Sequence, residues 1–178
     1  MLRRGLDALY AAGAVLAALS LLGIFLVMVG QVGLRAIGVP FPGADDISAY
    51  LCVATTFFAL ALTFRRGEVI RVGLVLERLG PGPRRAVETV ALVLAVIATA
   101  YAVWWTLDDV LFSLEIGDLA QGALPIPLWI PKLAMPLGAG LLLVAELDEL
   151  ATVLRGGRPH YVLAAEERAR HQDYSAEV

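Results

Sequence analysis

Residues 8–34, with the sequence ALYAAGAVLAALSLLGIFLVMVGQVGL, contain no charged side chain. A hydrocarbon core of about 30 Å is crossed by roughly 20 helical residues, because each residue adds about 1.5 Å along the axis. The run also exceeds the apolar core of a signal peptide, which is typically about 7 to 15 residues long. It therefore predicts a retained transmembrane helix.

Three further apolar runs follow this one, at residues 47–64, 89–107 and 119–145, and only Lys132 interrupts the last. The chain of 178 residues is 59% hydrophobic and 17% charged, whereas soluble domains carry about a quarter charged residues. Barrel strands would be about 10 residues long and alternate in polarity, so helices are the better solution for continuous runs. We predict an all-α membrane protein in which residues 1–158 form four transmembrane helices and residues 159–178 form a cytoplasmic C-terminal tail.

Positive charge predicts the orientation, because cytoplasmic loops hold the excess of lysine and arginine. Twelve of the fourteen basic residues lie in the N-terminal tail, the loop between the second and third helices, and the C-terminal tail, and only Arg35 and Lys132 lie on the other side. Both termini are therefore expected in the cytoplasm. Four residues are predicted to anchor the outer membrane interface: Trp104, Trp105, Trp129 and Lys132.

The cytoplasmic loop between the second and third helices interleaves apolar residues with charged ones before the breaker sequence Gly80-Pro81-Gly82-Pro83. Such a segment is typical of a short helix that lies in the membrane interface, with its arginines near anionic headgroups. The arginines predicted at this cytoplasmic interface are Arg65, Arg66, Arg71 and Arg78.

The outer side is predicted to be acidic. Asp45 and Asp46 are expected to cap the second helix, where carboxylates accept free N–H groups and face the positive end of the dipole. The third helix is expected to continue beyond Leu107 as far as Gly117, because good helix formers follow. The acidic residues could steer a soluble partner, or could simply be solvated charges beside capped helix ends. The candidate docking residues are Asp45, Asp46, Asp108, Asp109, Glu115 and Asp118.

The predicted spans lack the residues that carry chemistry in membranes. Their interiors offer only Gln31, serines, threonines and Cys52, while Glu146 is expected at the cytoplasmic end of the fourth helix and both histidines lie in the tail. Haem ligation, ion pathways and proton relays need ligating or charged side chains inside the spans. We predict no catalytic residue, cofactor or metal site, and no basic stripe suggests nucleic acid. The chain is interpreted as a subunit whose chemistry lies in a partner.

The order of features resembles the small membrane subunit (Q subunit) of TRAP transporters, the tripartite ATP-independent periplasmic carriers. The resemblance extends from about residue 35 to residue 150. The resemblance rests on the acidic pair Asp45-Asp46, on Tyr50, and on the stretches at residues 56–61, 65–72 and 130–138.

This resemblance implies a scaffold subunit in the bacterial inner membrane. Its partners would be a large multi-span subunit that holds the substrate and ion sites, a periplasmic substrate-binding protein, and the bilayer. The complex would import organic acids with an ion gradient, usually sodium. The alternatives are an assembly or anchoring subunit of an unrelated inner-membrane complex and, less compatibly with the residues, a membrane enzyme with a site at the interface.

Overall fold

The computed structural model describes residues 2–66 and 81–157. Within them the chain is all-helical apart from loops and one isolated β-bridge between Leu119 and Pro127. The helices are α1 (Leu2–Ala36), α2 (Ala44–Arg65), α3 (Pro81–Glu115), the four-residue α4 (Trp129–Lys132) and α5 (Ala134–Leu154). The predicted interfacial helix, Arg71, Arg78 and the C-terminal tail lie outside the described residues.

Three of these helices are long and apolar enough to cross a membrane: Gly5–Ala36, Ala44–Arg65 and Ala86–Glu115. The all-helical prediction is thus confirmed, and three spans are supported by length and composition. Helix α5 has 21 residues but carries Glu146, Asp148 and Glu149. The four-span arrangement and its orientation remain predictions.

The third helix extends as predicted. Helix α3 includes Asp108 and Asp109 and ends at Glu115, and Gly117 then adopts a φ of 65°. This left-handed conformation favours glycine, which has no Cβ to clash. Ending the helix at Asp108 would instead have put two carboxylates at the negative end of its dipole.

Proline interrupts the last helix. Pro136 has no N–H to donate to the carbonyl of Lys132, so the regular hydrogen-bond ladder cannot pass through this turn. The chain accordingly makes a break at Leu133 between α4 and α5, and Pro136 lies in the first turn of α5. The amide of Leu137 resumes the ladder by donating to the carbonyl oxygen of Leu133 at 3.2 Å.

The helices pack in the order α1, α2, α5, α3, so that α2 and α5 are central and α1 and α3 form the edges. Helices α2 and α5 approach closely at Gly138, where an added Cβ would lie 2.5 Å from the backbone carbonyl carbon of Phe57. All four long helices contribute to one buried cluster. Its members are Tyr10, Ala61, Phe64, Leu92, Ala145 and Val153.

The helical bundle has two ends, the hairpin end and the terminus end. The hairpin end carries the connections at residues 37–43 and 116–128, and the terminus end carries the start of α1, Arg65 and Leu154. Large apolar side chains remain exposed along both edge helices, including Leu19, Phe25 and Val32 on α1 and Leu94, Ile97 and Leu111 on α3. These surfaces are compatible with lipid or with a membrane-embedded partner.

Candidate docking surfaces

The connection between α3 and α4 folds into a small hairpin over residues 118–128. The amide of Ala120 donates to the carbonyl oxygen of Ile126 at 2.9 Å, and the amide of Leu128 donates to that of Asp118 at 3.0 Å. The side chain of Leu124 packs against Gly43, the residue just before α2. The hairpin therefore rests on the corner between α1 and α2.

Asp46 fastens this hairpin. Its Oδ2 atom accepts a hydrogen bond from the backbone amide of Ala123 at 3.2 Å, and Gly122 lies so close to the carboxylate that an added Cβ would collide with it. The tip of the hairpin thus depends on a carboxylate at 46 and on the absence of a side chain at 122.

The predicted side-chain cap of α2 is wrong. The cap position is Gly43, with a φ of 79°, and no side-chain hydrogen bond caps the helix. Asp45 and Asp46 do lie in the first turn, where the dipole favours negative charge. Their oxygens are engaged elsewhere, however, since Asp45 accepts a hydrogen bond from Nε2 of Gln31 at 3.4 Å.

The remaining acidic candidates differ in environment. Asp109 forms an ion pair with Lys132 at 3.0 Å between Oδ2 and Nζ, which joins α3 to α4. Asp108 and Glu115 are exposed, whereas Asp118 is partly buried and its carbonyl holds the hairpin. The six predicted docking residues therefore differ: Asp45, Asp46 and Asp109 make side-chain contacts, whereas Asp108 and Glu115 are exposed.

The predicted interface tryptophans on α3 project from the molecule. Trp104 is 70% exposed, and the ring of Trp105 packs edge-to-face with that of Tyr101 at a centroid distance of 6.1 Å. Trp129 begins α4 and is partly buried. Exposed aromatic residues of this kind are typical of a membrane–water boundary. The anchoring role of the tryptophans stays a prediction.

Arg65 joins α2 to α1 at the terminus end. Its Nη1 atom pairs with Oδ1 of Asp7 at 2.7 Å, and its guanidinium carbon lies 4.6 Å from the ring centroid of Tyr10. Arg66 directly follows α2 and is exposed. Arg65, predicted at the membrane interface, is thus also a contact between helices.

Two buried acids on α5 were missed by sequence reasoning. Glu146 is 4% exposed and Glu149 is 1% exposed; the sequence placed Glu146 at the cytoplasmic end of the fourth helix but did not predict the burial of either acid. A helical wheel could have indicated them, because residues three apart share a face and Ala145, Val153 and both glutamates form one buried stripe. The predicted apolar run ends at Ala145, so it leaves out Glu146, Glu149 and Val153.

Oε1 of Glu146 accepts a hydrogen bond from Oγ1 of Thr99 on α3, at 3.2 Å. Its Oε2 atom is buried and has no hydrogen-bond partner among the described residues. In the same part of the chain, no group of three or more histidine, cysteine, aspartate or glutamate side chains is placed to hold a metal ion.

The chain forms long apolar helices, and two of these are exposed along most of their length. Several of its polar side chains make contacts between helices and loops. These features define a helical membrane protein. The chain belongs to the family of tripartite ATP-independent periplasmic transporters, DctQ component, whose family model matches residues 24–156. The resemblance inferred from the sequence is thereby confirmed. No curated protein matches the chain closely enough to be counted as a relative. The family is one of transporter components, and its members act within a three-part system that also has a large membrane subunit and a periplasmic binding protein.

Proposed function

We propose that this chain is the scaffold subunit of a TRAP-type secondary transporter and that it binds no substrate itself. The family match carries this proposal. The packing supports it, because α1 and α3 touch their neighbours along one stripe and leave large apolar side chains exposed elsewhere. Such edges suit a large multi-span subunit on one side and lipid on the other.

The proposed orientation places the hairpin end in the periplasm and both termini in the cytoplasm of a bacterial inner membrane. The distribution of basic residues supports it, and α5 is proposed as the fourth span. Its 21 residues reach about 30 Å at roughly 1.5 Å each. Glu146 and Glu149 do not argue against this span, because both are buried against protein, as ionisable residues in membranes usually are.

The transported substrate is proposed to be an organic acid and the driving ion sodium. Both follow from the sequence resemblance. They concern the large subunit and the binding protein, so no residue of this chain is assigned to either.

The acidic hairpin end is proposed to receive the binding protein. Asp108 and Glu115 are exposed there, and α3 continues about 12 Å beyond Leu107 at roughly 1.5 Å per residue. A one-sided field on this extension would accelerate encounter with a basic surface in a salt-dependent way.

Purification with a tag and reconstitution test the scaffold proposal. The tagged chain, extracted in mild detergent, should copurify with a larger multi-span protein. In liposomes under a sodium gradient the chain alone should take up no organic acid, whereas the chain with its large partner and binding protein should. Robust uptake by the chain alone would refute the proposal, and copurification with an unrelated complex would favour the anchoring alternative.

A further inference from the structure

We propose that Glu146 is held as the neutral acid and that, in this form, it fastens the edge helix α3 to α5 through Thr99. The resulting contact between helices depends on a proton. This role is separate from the scaffold function, since it concerns how the chain holds its own edge helix in place.

The first step is the burial of the carboxyl group. Glu146 is 4% exposed and lies among the helices, not at the edge of the molecule. Transfer of a charged carboxylate out of water is strongly unfavourable unless the charge is paired and hydrogen-bonded. The hydroxyl of Thr99 supplies one hydrogen bond, at 3.2 Å, and Oε2 receives none from the described residues. One neutral donor does not replace the hydration of a carboxylate.

The second step is the absence of a compensating cation in the described part of the chain. Among the described residues, the hydroxyl of Thr99 is the one hydrogen-bond partner of the Glu146 carboxyl group, and no ion pair joins this group to a basic side chain. Two basic residues of the described helices have acidic partners elsewhere: Arg65 contacts Asp7 and Tyr10, and Lys132 pairs with Asp109 at the hairpin end.

The other basic side chains of the described residues form no ion pair with Glu146. On α5 itself, Asp148 and Glu149 follow within one turn, and an anion at either would further disfavour charge on Glu146. Glu88 precedes Thr99 by three turns of α3, about 16 Å along the axis. Further titratable groups among the described residues include Asp7, Tyr10 and Arg35 on α1, Asp45, Asp46, Tyr50, Cys52 and Arg66 on or just after α2, Tyr101, Asp108, Asp109 and Glu115 on α3, and Arg155 just after α5.

The third step is the consequence for α3. As a neutral acid, Glu146 packs between α3 and α5 while its carbonyl oxygen accepts from Thr99. Ionisation would favour hydration of Oε2, which is buried in the packed chain, and we expect that admitting water here separates α3 from α5. Removing the proton should therefore loosen the edge helix that carries Trp104, Asp108 and Glu115.

The test compares the melting temperature of the full-length chain in mild detergent with that of Glu146→Gln, over buffers from mildly acidic to mildly alkaline. The amide has the shape and hydrogen-bonding capacity of the neutral acid but cannot ionise. A group kept neutral by folding stabilises most at low pH and loses this contribution as pH rises. The two proteins should melt alike in acid, and the wild type should fall progressively below Glu146→Gln as pH rises. A difference that is independent of pH, or of the opposite sign, would overturn the neutral assignment.

Infrared spectra provide a readout that a merely structural role would not move. At neutral pH the wild type should show the C=O band of a protonated carboxyl group in an apolar site, and Glu146→Gln should remove it. If the substitution removes only carboxylate bands, Glu146 is ionised and the proposal fails.

The hydrogen bond itself is tested on α3. Thr99→Val should lower the melting temperature in acid, and Thr99→Ser should restore it. Thr106→Val is the matched control, because the Thr106 hydroxyl donates within its own helix, to the carbonyl oxygen of Ala102 at 2.7 Å. Equal effects of the two valine substitutions would show that Thr99 does not fasten α3 to Glu146.

Discussion

Arg65 shows how one side chain combines two weak contacts. Its ion pair with Asp7 is solvent-exposed on the acid side, where the Asp7 side chain is 60% accessible, while the Arg65 side chain is 22% accessible. Exposed pairs contribute at most about 1 kcal/mol. The guanidinium over the Tyr10 ring adds about 0.5 to 2 kcal/mol, depending on how dry the contact is.

The two contributions can be separated by substitution. Asp7→Asn should cost less than about 1 kcal/mol of unfolding free energy, because only the exposed pair is lost. Arg65→Met should cost more, about 1 to 2 kcal/mol, because the ring contact also disappears. Chemical unfolding of the purified chain in detergent measures both. If Asp7→Asn is as damaging as Arg65→Met, the ion pair and not the ring holds α1 to α2.

For single residues, the sequence predicted the position of a side chain along its helix better than the atoms that the side chain contacts. The position of Asp46 in the first turn of α2 was correct, but its hydrogen bond to the amide of Ala123 joins residues far apart in the chain. No local pattern reports such a contact. Lys132 was similarly expected to reach towards water, and its pairing with Asp109 depends on how α3 and α4 meet.

Among the elements, the contact between α2 and α5 is the tightest point of the fold. A Cβ at residue 138 would lie 2.5 Å from both the backbone carbon and oxygen of Phe57, and backbone atoms cannot rotate away as a side chain would. Gly140 lies on the same helix with nothing within 4 Å of an added Cβ. The two glycines therefore form a natural pair for comparison.

Gly138→Ala should destabilise the chain by about 1 to 3 kcal/mol, the usual cost of overpacking. Gly140→Ala should be neutral or stabilise by up to about 1 kcal/mol, since alanine is the better helix former. Thermal unfolding in detergent measures both changes. Similar losses for the two variants would mean that the close approach of α2 and α5 does not limit the packing.

The existence of the long helices followed from the apolar runs, because continuous apolar sequence has few other solutions in a bilayer. The end of α5 did not follow, because Glu146 was taken as a boundary. An ionisable residue ends a span only when it meets lipid or water, and Glu146 contacts Thr99 instead. Whether an acidic side chain on a helix is buried depends on the neighbouring helices. The packing order α1, α2, α5, α3 cannot be inferred from the sequence of any single helix.

For the whole molecule, orientation is a testable consequence of charge. The basic residues predict that the hairpin end faces the periplasm. In a Cys52→Ala background, Val39→Cys should react with a membrane-impermeant thiol reagent in intact cells, because Val39 is exposed in the first connection. Arg155→Cys, which is exposed just after α5, should react only after permeabilisation. The reverse pattern would invert the proposed topology.

The acidic hairpin end leads to a prediction about the assembled transporter. Asp108 and Glu115 are exposed, whereas Asp109 is paired with Lys132 and Asp46 holds the hairpin, so the first two can be neutralised without disturbing these contacts. The double variant Asp108→Asn with Glu115→Gln should lower uptake at limiting binding protein, because steering raises the association rate. Uptake should recover when more binding protein is supplied, and the defect should shrink at high salt, where the Debye length is short.

Asp7→Asn is the matched control, since it removes one carboxylate at the terminus end and should leave the dependence on binding protein unchanged. Charge steering acts on encounter, so the rate at saturating binding protein should be equal in the double variant and the wild type. A defect that persists at saturation would instead indicate damage to assembly. If uptake by the complete complex stays the same at every binding-protein and salt concentration, the exposed carboxylates of α3 do not guide docking and are simply solvated charges.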